Sequence, residues 1–225
     1  NESQAENAVK QAHSAGLPTF NLDLMHGLPE QSVENAMADL KQGIELDPYH
    51  LSWYQLTIEP NTPFYSKPPE LPDDDILWEI QEKGHSLLER AGYHQYEISG
   101  YAKAGHQCRH NLNYWRFGDY LGIGCGAHGK ITDAANGTIH RTVKVKHPRG
   151  YMEMSRPYLD TQTLVSADDL PFEFFMNRFR LVEPCPMSDF SDFTGTELTD
   201  DVKRALSDAH HQGLLSISDS HWQVT

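Results

Sequence analysis

The stretch from Thr19 to Ile58 most narrows the folds open to this chain. Thr19 to Met25 reads as a short strand, with Leu22, Leu24 and Met25 apolar, closed by a Gly27/Pro29 turn. Ser32 then caps a helix in which Val33, Ala36, Met37, Leu40 and Ile44 recur at helical spacing. Asp47-Pro48 stops it, and Leu51 to Ile58 reads as a second strand. Strand, turn, helix, strand is one βαβ unit, which requires parallel strands and a right-handed crossover. Ligands of such folds gather at the C-terminal ends of the strands. Asp23 is expected near that end. A carboxylate in an apolar strand is costly to bury without a partner, so either turn amides and a basic neighbour satisfy it or it meets a ligand.

The neighbouring segments extend the α/β pattern. Ala5, Ala8, Val9 and Ala12 predict a helix over 2–15 that Gly16 ends in a left-handed cap. The chain thus opens on a helix with no strand before it and without Met, which points to truncation. A proline-rich stretch, Glu59 to Pro72, reads as a surface excursion. Asp73 to Asp75 then start a helix that runs to about Ala91, with Gly92 as its stop. Tyr93 to Ser99 suggests a strand. Residues 100–130 are dense in Gly, His and aromatics and show no clear period, and a long irregular segment is more often functional than idle. Residues 131–150 look β-rich, and their Arg141, Lys144, Lys146 and Arg149 read as a solvated strand face, with an anion or propionate contact as the minor alternative.

From Asp168 the pattern turns helical. Phe172, Phe175, Met176 and Phe179 form one apolar stripe, expected to face a core. Met187 to Phe193 and Thr199 to Gln212 suggest two more helices, followed by strands at 214–218 and 222–224. Helix, helix, helix, hairpin is a winged-helix-like order. The helix that would read DNA carries Asp200, Asp201 and Asp208 beside Lys203 and Arg204, so a packing or docking module is expected rather than a DNA reader.

Composition adds exclusions. The formal net charge of -14 repels phosphate backbones and acidic lipid alike, so no nucleic-acid partner is expected. The sequence has no apolar run long enough for a transmembrane helix, and no signal peptide is visible. Three cysteines, Cys108, Cys125 and Cys185, are too few and too scattered for a disulfide framework and suit a reducing cytoplasm. Asp200/Asp201 and the scattered Glu residues form no convincing acid–base pair, and no Ser/His/Asp order stands out.

Four motifs occur in order: Asn21-Leu-Asp-Leu-Met-His-Gly-Leu-Pro29, Glu97-Ile-Ser-Gly-Tyr-Ala102, Arg109-His-Asn-Leu-Asn-Tyr-Trp115, and Gly118 to His128 with its Gly122-Ile-Gly-Cys-Gly126 core. Together they closely resemble the HemW family, radical-SAM proteins related to the oxygen-independent coproporphyrinogen III oxidase. The resemblance covers essentially the whole chain. It implies an α/β fold: a partial radical-SAM (TIM-like) barrel remnant over 1–65, a connecting segment over 66–165, and a mainly helical winged-helix-like C-terminal domain over 166–225. It implies heme as ligand and, in the full-length protein, S-adenosylmethionine (SAM) and a [4Fe-4S] cluster. The cluster needs clustered thiolates, and the CxxxCxxC loop that supplies them is absent from this sequence, so the chain alone is expected to perform no radical chemistry.

The resemblance assigns residues as well. Asp23 matches an aspartate that contacts SAM, and a carboxylate suits ribose hydroxyls or an ammonium group. Thr57 and His128 match other SAM-pocket positions, though their side chains differ from the oxidase's. The glycines of 122–126 allow close backbone approach to a ligand. His110, Asn111, Tyr114 and Trp115 form the His-Asn-x-x-Tyr-Trp element that sets HemW proteins apart. His110 is the candidate heme-iron ligand, set against the plain alternative that His110 and Asn111 tie down a loop. Cys185-Pro186 also resembles a short heme-responsive dipeptide that is common by chance. The implied function is heme delivery to acceptor proteins. The alternatives are an oxygen-independent coproporphyrinogen III oxidase and a partner-binding scaffold. An exposed sheet edge in a partial barrel is expected to favour a homodimer.

Overall fold

The structure, a computed structural model, describes residues 2–153 and 155–225. The described residues fall into two compact units that divide between Cys108 and Arg109. The first contains α1 (Glu2–Ser14), β1 (Asn21–His26), α2 (Val33–Glu45), β2 (His50–Gln55), α3 (Pro63–Ser66), α4 (Asp74–Arg90), β3 (His94–Glu97) and β4 (Gly100–Ala102). The second contains α5 (Arg109–Trp115), β5 (His128–Asp133), β6 (Thr138–Lys144), α6 (Pro148–Tyr151), β7 (Leu159–Leu164), α7 (Leu170–Arg178), β8 (Cys185–Pro186), α8 (Ser188–Thr194), α9 (Asp200–His211), β9 (Leu215–Ile217) and β10 (His221–Val224). The fold is mixed α/β.

In the first unit the expected βαβ unit is present: β1 and β2 pair in parallel with Asp23 opposite Ser52. Ser32 caps α2 by accepting from the Asn35 amide, and Asp73 caps α4 by accepting from that of Ile76. The parallel pattern stops there. A tight β3–β4 hairpin adds antiparallel strands, giving the sheet order β1-β2-β4-β3. Helices α2 and α4 cover one face through glycines. A Cβ on Gly43 would lie 2.5 Å from Leu24, and one on Gly84 would lie 1.8 Å from the Trp53 ring. Leu22, Leu24, Leu51 and Trp53 therefore meet Leu40, Ile80 and Leu88 in a close-packed core. The other face carries Asn21, Asp23, Met25, His50, Ser52 and Tyr54, which alternate with the core residues along the same strands.

Residues 100–130, without a period in sequence, hold real structure in both units. They include β4, the helix α5, and a loop that doubles back so that Tyr120 and Lys130 exchange backbone hydrogen bonds at 3.0 Å. The connection is a three-stranded antiparallel sheet, β5-β6-β7. A third small sheet has the order β8-β10-β9. Phe117, Ile139, Phe174, Phe190, Leu206 and Trp222 centre the core.

The apolar stripe expected on α7 is corrected in part: Phe175 and Phe179 pack against the core. Phe172 and Met176 are 69% and 54% exposed, whereas Phe174 is fully buried. Phe174 meets Phe117, Phe175 and Phe190 edge-to-face at 5.5, 5.2 and 5.4 Å. Asn177 and Arg178 share the buried side because the Glu173 carbonyl accepts from Asn177 and Pro184 accepts from Arg178. Hydropathy cannot see a buried face completed by hydrogen-bonded and ion-paired polar groups.

Candidate functional site

Asp23 occupies mid-strand in β1, and it is exposed on the face opposite the α2/α4 core. Its expected burial near the strand end is therefore corrected. The alternation of β1 turns it away from the core, so its carboxylate stays hydrated. Beside it runs a polar chain that hydropathy alone does not flag. The His50 Nδ1 donates to Asn21 Oδ1 at 2.6 Å, an acceptor that also takes the Ser52 hydroxyl at 3.1 Å. The His50 Nε2 is 2.7 Å from the Tyr96 hydroxyl, whose oxygen accepts from the Cys108 amide at 3.4 Å. The Asn21 carbonyl fixes the tautomer: Nδ1 carries the proton and Nε2 accepts. Burial lowers the His50 pKa, against a smaller upward pull from Asp23, in keeping with a neutral ring. The available signal was the polar alternation His50, Ser52, Tyr54 in β2.

Thr57 lies past the end of β2, exposed, with its hydroxyl 3.5 Å from the Gln55 carbonyl. Asp23 instead is in register with Ser52. A cavity of about 340 Å3 lies along β1, lined by residues of α1, β1 and α2 that include Val9, Leu22, Asp23 and Leu24.

In the second unit α5 carries the other predicted residues. His110 is exposed and has no hydrogen-bond partner among the described residues, while Asn111, Tyr114 and Trp115 are half-buried. His110 and Tyr114 are one turn apart on the same helix face. Tyr114 meets Trp115 edge-to-face at 4.7 Å and packs on Tyr120 at 4.8 Å. The Arg180 guanidinium sits 4.3 Å over the Trp115 ring, a cation–π contact between residues too far apart in sequence for any spacing to reveal. Through Tyr120 the helix meets the base of the Gly-rich loop. His128 opens β5 at the end of that loop and is exposed. The structure thus joins the α5 residues and His128 through one aromatic contact and one backbone bridge.

The base of the loop is held by charge. Lys130 is buried, and its ammonium donates to the Phe117 carbonyl at 2.9 Å and to Asp119 at 3.0 Å. It also lies 4.1 Å over the Phe117 ring. Burial pulls the Lys130 pKa down more than Asp119 pushes it up. For Asp119 burial pulls upward, yet the Thr132 amide, Lys130 and the Thr132 hydroxyl outweigh it and leave the carboxyl below its ordinary value. The ammonium's cage of acceptors settles that it is charged. Arg141 is likewise tied down, bonded to Glu173 and to the Tyr120 hydroxyl at 3.0 Å, so it does not belong to a solvated strand face.

Cys185 is buried in the second core, and burial pushes its thiol up to about 12. That thiol stays protonated and out of reach, so the Cys-Pro dipeptide is structural. Among the described residues no three His, Cys, Asp or Glu side chains converge as a metal site. No helix among them is long and apolar enough to cross a membrane.

Comparison with known proteins fits this arrangement. The HemN C-terminal domain family matches residues 165–225. The chain is 60% identical over 223 residues to the heme chaperone HemW of Escherichia coli (strain K12), covering 99% of this chain and 58% of that protein. It is 56% identical over 225 residues to the heme chaperone HemW of Haemophilus influenzae, covering 100% of this chain and 58% of the relative. It is 34% identical over 226 residues to the heme chaperone HemW of Bacillus subtilis, over 97% of this chain and 58% of the relative. Among solved structures it is similar to the radical-SAM coproporphyrinogen III oxidase HemN from Escherichia coli. The TM-score is 0.77 at 18% identity, covering 100% of this chain and 55% of that one, a likeness of fold. With sequence similarity running through both units, the chain is similar to heme chaperones HemW along essentially its whole length and spans 58% of the length of these curated relatives.

Proposed function

We propose that this chain is part of a heme-binding protein of the radical-SAM family that delivers heme to acceptor proteins in the cytoplasm. One observation carries the reading: α5 holds His110 exposed and free of hydrogen bonds among the described residues, one turn from Tyr114. The plain alternative, that His110 and Asn111 tie down a loop, draws no support from His110, whose imidazole makes no hydrogen bond among those residues. An unbonded, exposed imidazole one helical turn from a tyrosine fits the needs of a heme iron and its macrocycle. Heme bound here would be ligated by His110 and flanked by Tyr114 and Trp115, with Asn111 completing the segment.

Asp23 and Thr57 would serve SAM in the full-length protein, and the resemblance implies the same role for His128. Asp23 fits a hydrated polar ligand, since it is an exposed carboxylate beside the Asn21, Ser52 and His50 chain. The [4Fe-4S] cluster would take its thiolates from outside these residues. Cys108, Cys125 and Cys185 are unpaired cysteines in three different settings, half-buried, exposed and buried, and do not make a thiolate cluster. The sheet of the first unit supports the partial-barrel reading through its parallel β1–β2 pair. The order α7, β8, α8, α9, β9, β10 supports a winged-helix-like end domain. The limits 1–65, 66–165 and 166–225 are what the resemblance implies, whereas residues 66–108 pack with the first unit, which ends at Cys108. The outer side of β1 is a sheet edge in the described residues and invites a homodimer.

Heme titration followed by Soret absorbance tests the reading. Stoichiometric binding lost in His110→Ala is the expected result, and binding unchanged in that variant overturns the site. The oxidase alternative is separated by assaying coproporphyrinogen turnover with the full-length protein, where none is expected.

A further inference from the structure

The Gly-rich loop of the second unit has an unusual neighbour. In a chain of net charge -14, Lys144, Lys146, Arg149 and Arg156 cluster between the end of β6 and the residues just after α6. Among the described residues none of the four lies within ion-pair distance of a carboxylate. Lys146, Arg149 and Arg156 are exposed. Two backbone hydrogen bonds and one to a side chain clamp this run to the loop. The Gly126 amide donates to the Val145 carbonyl at 2.9 Å, the Lys144 amide to Ala127 at 2.9 Å, and the Gly124 amide to the Tyr151 hydroxyl at 3.1 Å. Lys146 passes so close that a Cβ on Gly126 would lie 3.8 Å from its Cα.

The loop itself is apolar where it is most exposed. Leu121 and Ile123 stand 76% and 83% in solvent. Two bare aliphatic side chains beside uncompensated cations match a ligand that is flat and apolar on one part and anionic on another. At its base the same loop packs through Tyr120 on Tyr114 of α5.

We propose that this loop and its basic rim take the carboxylate edge of a tetrapyrrole. Leu121 and Ile123 lie against the macrocycle, and Lys146, Arg149 and Arg156 meet its propionates. The inference rests on the heme-binding reading above and adds to it a second set of contacts. An anionic bilayer has similar chemistry, but the acidic remainder of the chain would be repelled by it, so the small dianion is favoured.

The test titrates the unvaried chain and its Lys146→Gln/Arg149→Gln/Arg156→Gln variant with heme, and both with iron porphyrin whose two propionates are methyl-esterified. Exposed pairs are individually weak, so three together are expected to change the heme Kd by roughly tenfold. The Soret maximum is expected to stay the same, because the iron ligand is untouched, and added salt should weaken binding to the unvaried chain. The ester is expected to bind both proteins alike. An unchanged heme Kd in the variant overturns the rim. So does an ester that binds the unvaried chain as tightly as free heme does, a result that holds even if the variant misfolds. If the variant keeps full affinity while His110→Ala loses it, heme binding stands and this inference falls. No heme binding by the unvaried chain overturns both. Sedimentation of the unvaried chain, but not the variant, with phosphatidylserine vesicles would assign the rim to a membrane and overturn the tetrapyrrole.

Discussion

Two populations of cations stand out in the second unit. Lys130, Arg141 and Arg178 are wholly or largely withdrawn from water, and each reaches a carboxylate: Asp119, Glu173, and Glu183 with Asp189. Lys146, Arg149 and Arg156 are exposed and unpaired among the described residues. A buried charge without a partner is too costly to keep, so the first population is fixed by folding. The second has no structural obligation and is open to a ligand. The first unit supplies a third case, the titratable ring kept neutral. His26 is buried against Trp53 at 4.2 Å, and its Nδ1 has no hydrogen-bond partner among the described residues.

His26 gives the largest expected effect. Burial, and then His85, lowers its pKa from 6.5 to about 4. The unfolded chain therefore binds the proton first as pH falls. The stability contribution is fully present above pH 6.5 and is lost between 6.5 and about 4, amounting to about 3 kcal/mol. Burial also lowers His50 and His85, which steepens the same fall. Urea unfolding at pH 7 and pH 4.5 should show it, and His26→Leu should lose less across that interval. An equal loss in the variant would remove His26 from the neutral class.

Asp119→Ala comes next. It leaves the Lys130 ammonium buried with the Phe117 carbonyl and Thr132 as its remaining partners. Breaking a buried pair costs more than an exposed one, but the Asp119 side chain is partly in water, so the expected loss is about 2 kcal/mol by chemical denaturation. Lys130→Met in the same background should recover part of it, because no buried charge then lacks a carboxylate. If the double variant were no more stable than Asp119→Ala, Lys130 would not belong to the obligate population.

How much of this was legible beforehand depends on what each feature is made of. The helix α2 was readable because its Ser32 cap, apolar period and Asp47-Pro48 stop all agree. The hairpin β3–β4 was half readable: Tyr93 to Ser99 signalled a strand, but its antiparallel return is set by pairing with β2, which is not local. The α7 face was misjudged because Asn177 and Arg178 complete it through backbone acceptors distant from any hydropathy pattern. For the site, the motifs pointed to His110 and Asp23, and alternation could have placed Asp23 on an open face. The Asn21, His50, Tyr96 chain and the Arg180 contact on Trp115 join residues far apart in sequence, so no spacing within one element reveals them. The basic run at 144–149 was visible as composition. Only contacts distinguish Arg141, held by Glu173, from its unpaired neighbours.

The smallest expected effect makes the comparison sharpest. Lys146→Gln with Arg149→Gln should change unfolding free energy by less than about 0.5 kcal/mol, since substitutions at exposed, unpaired positions rarely do more. Reducing local repulsion among like charges could even raise stability slightly. Differential scanning calorimetry of this variant beside Asp119→Ala places both populations on one scale. A loss from Lys146→Gln/Arg149→Gln as large as that from Asp119→Ala would mean that the rim holds the 145–158 segment against the Gly-rich loop. The rim would then belong to the architecture, and the absence of carboxylate partners would no longer mark it as reserved for a ligand.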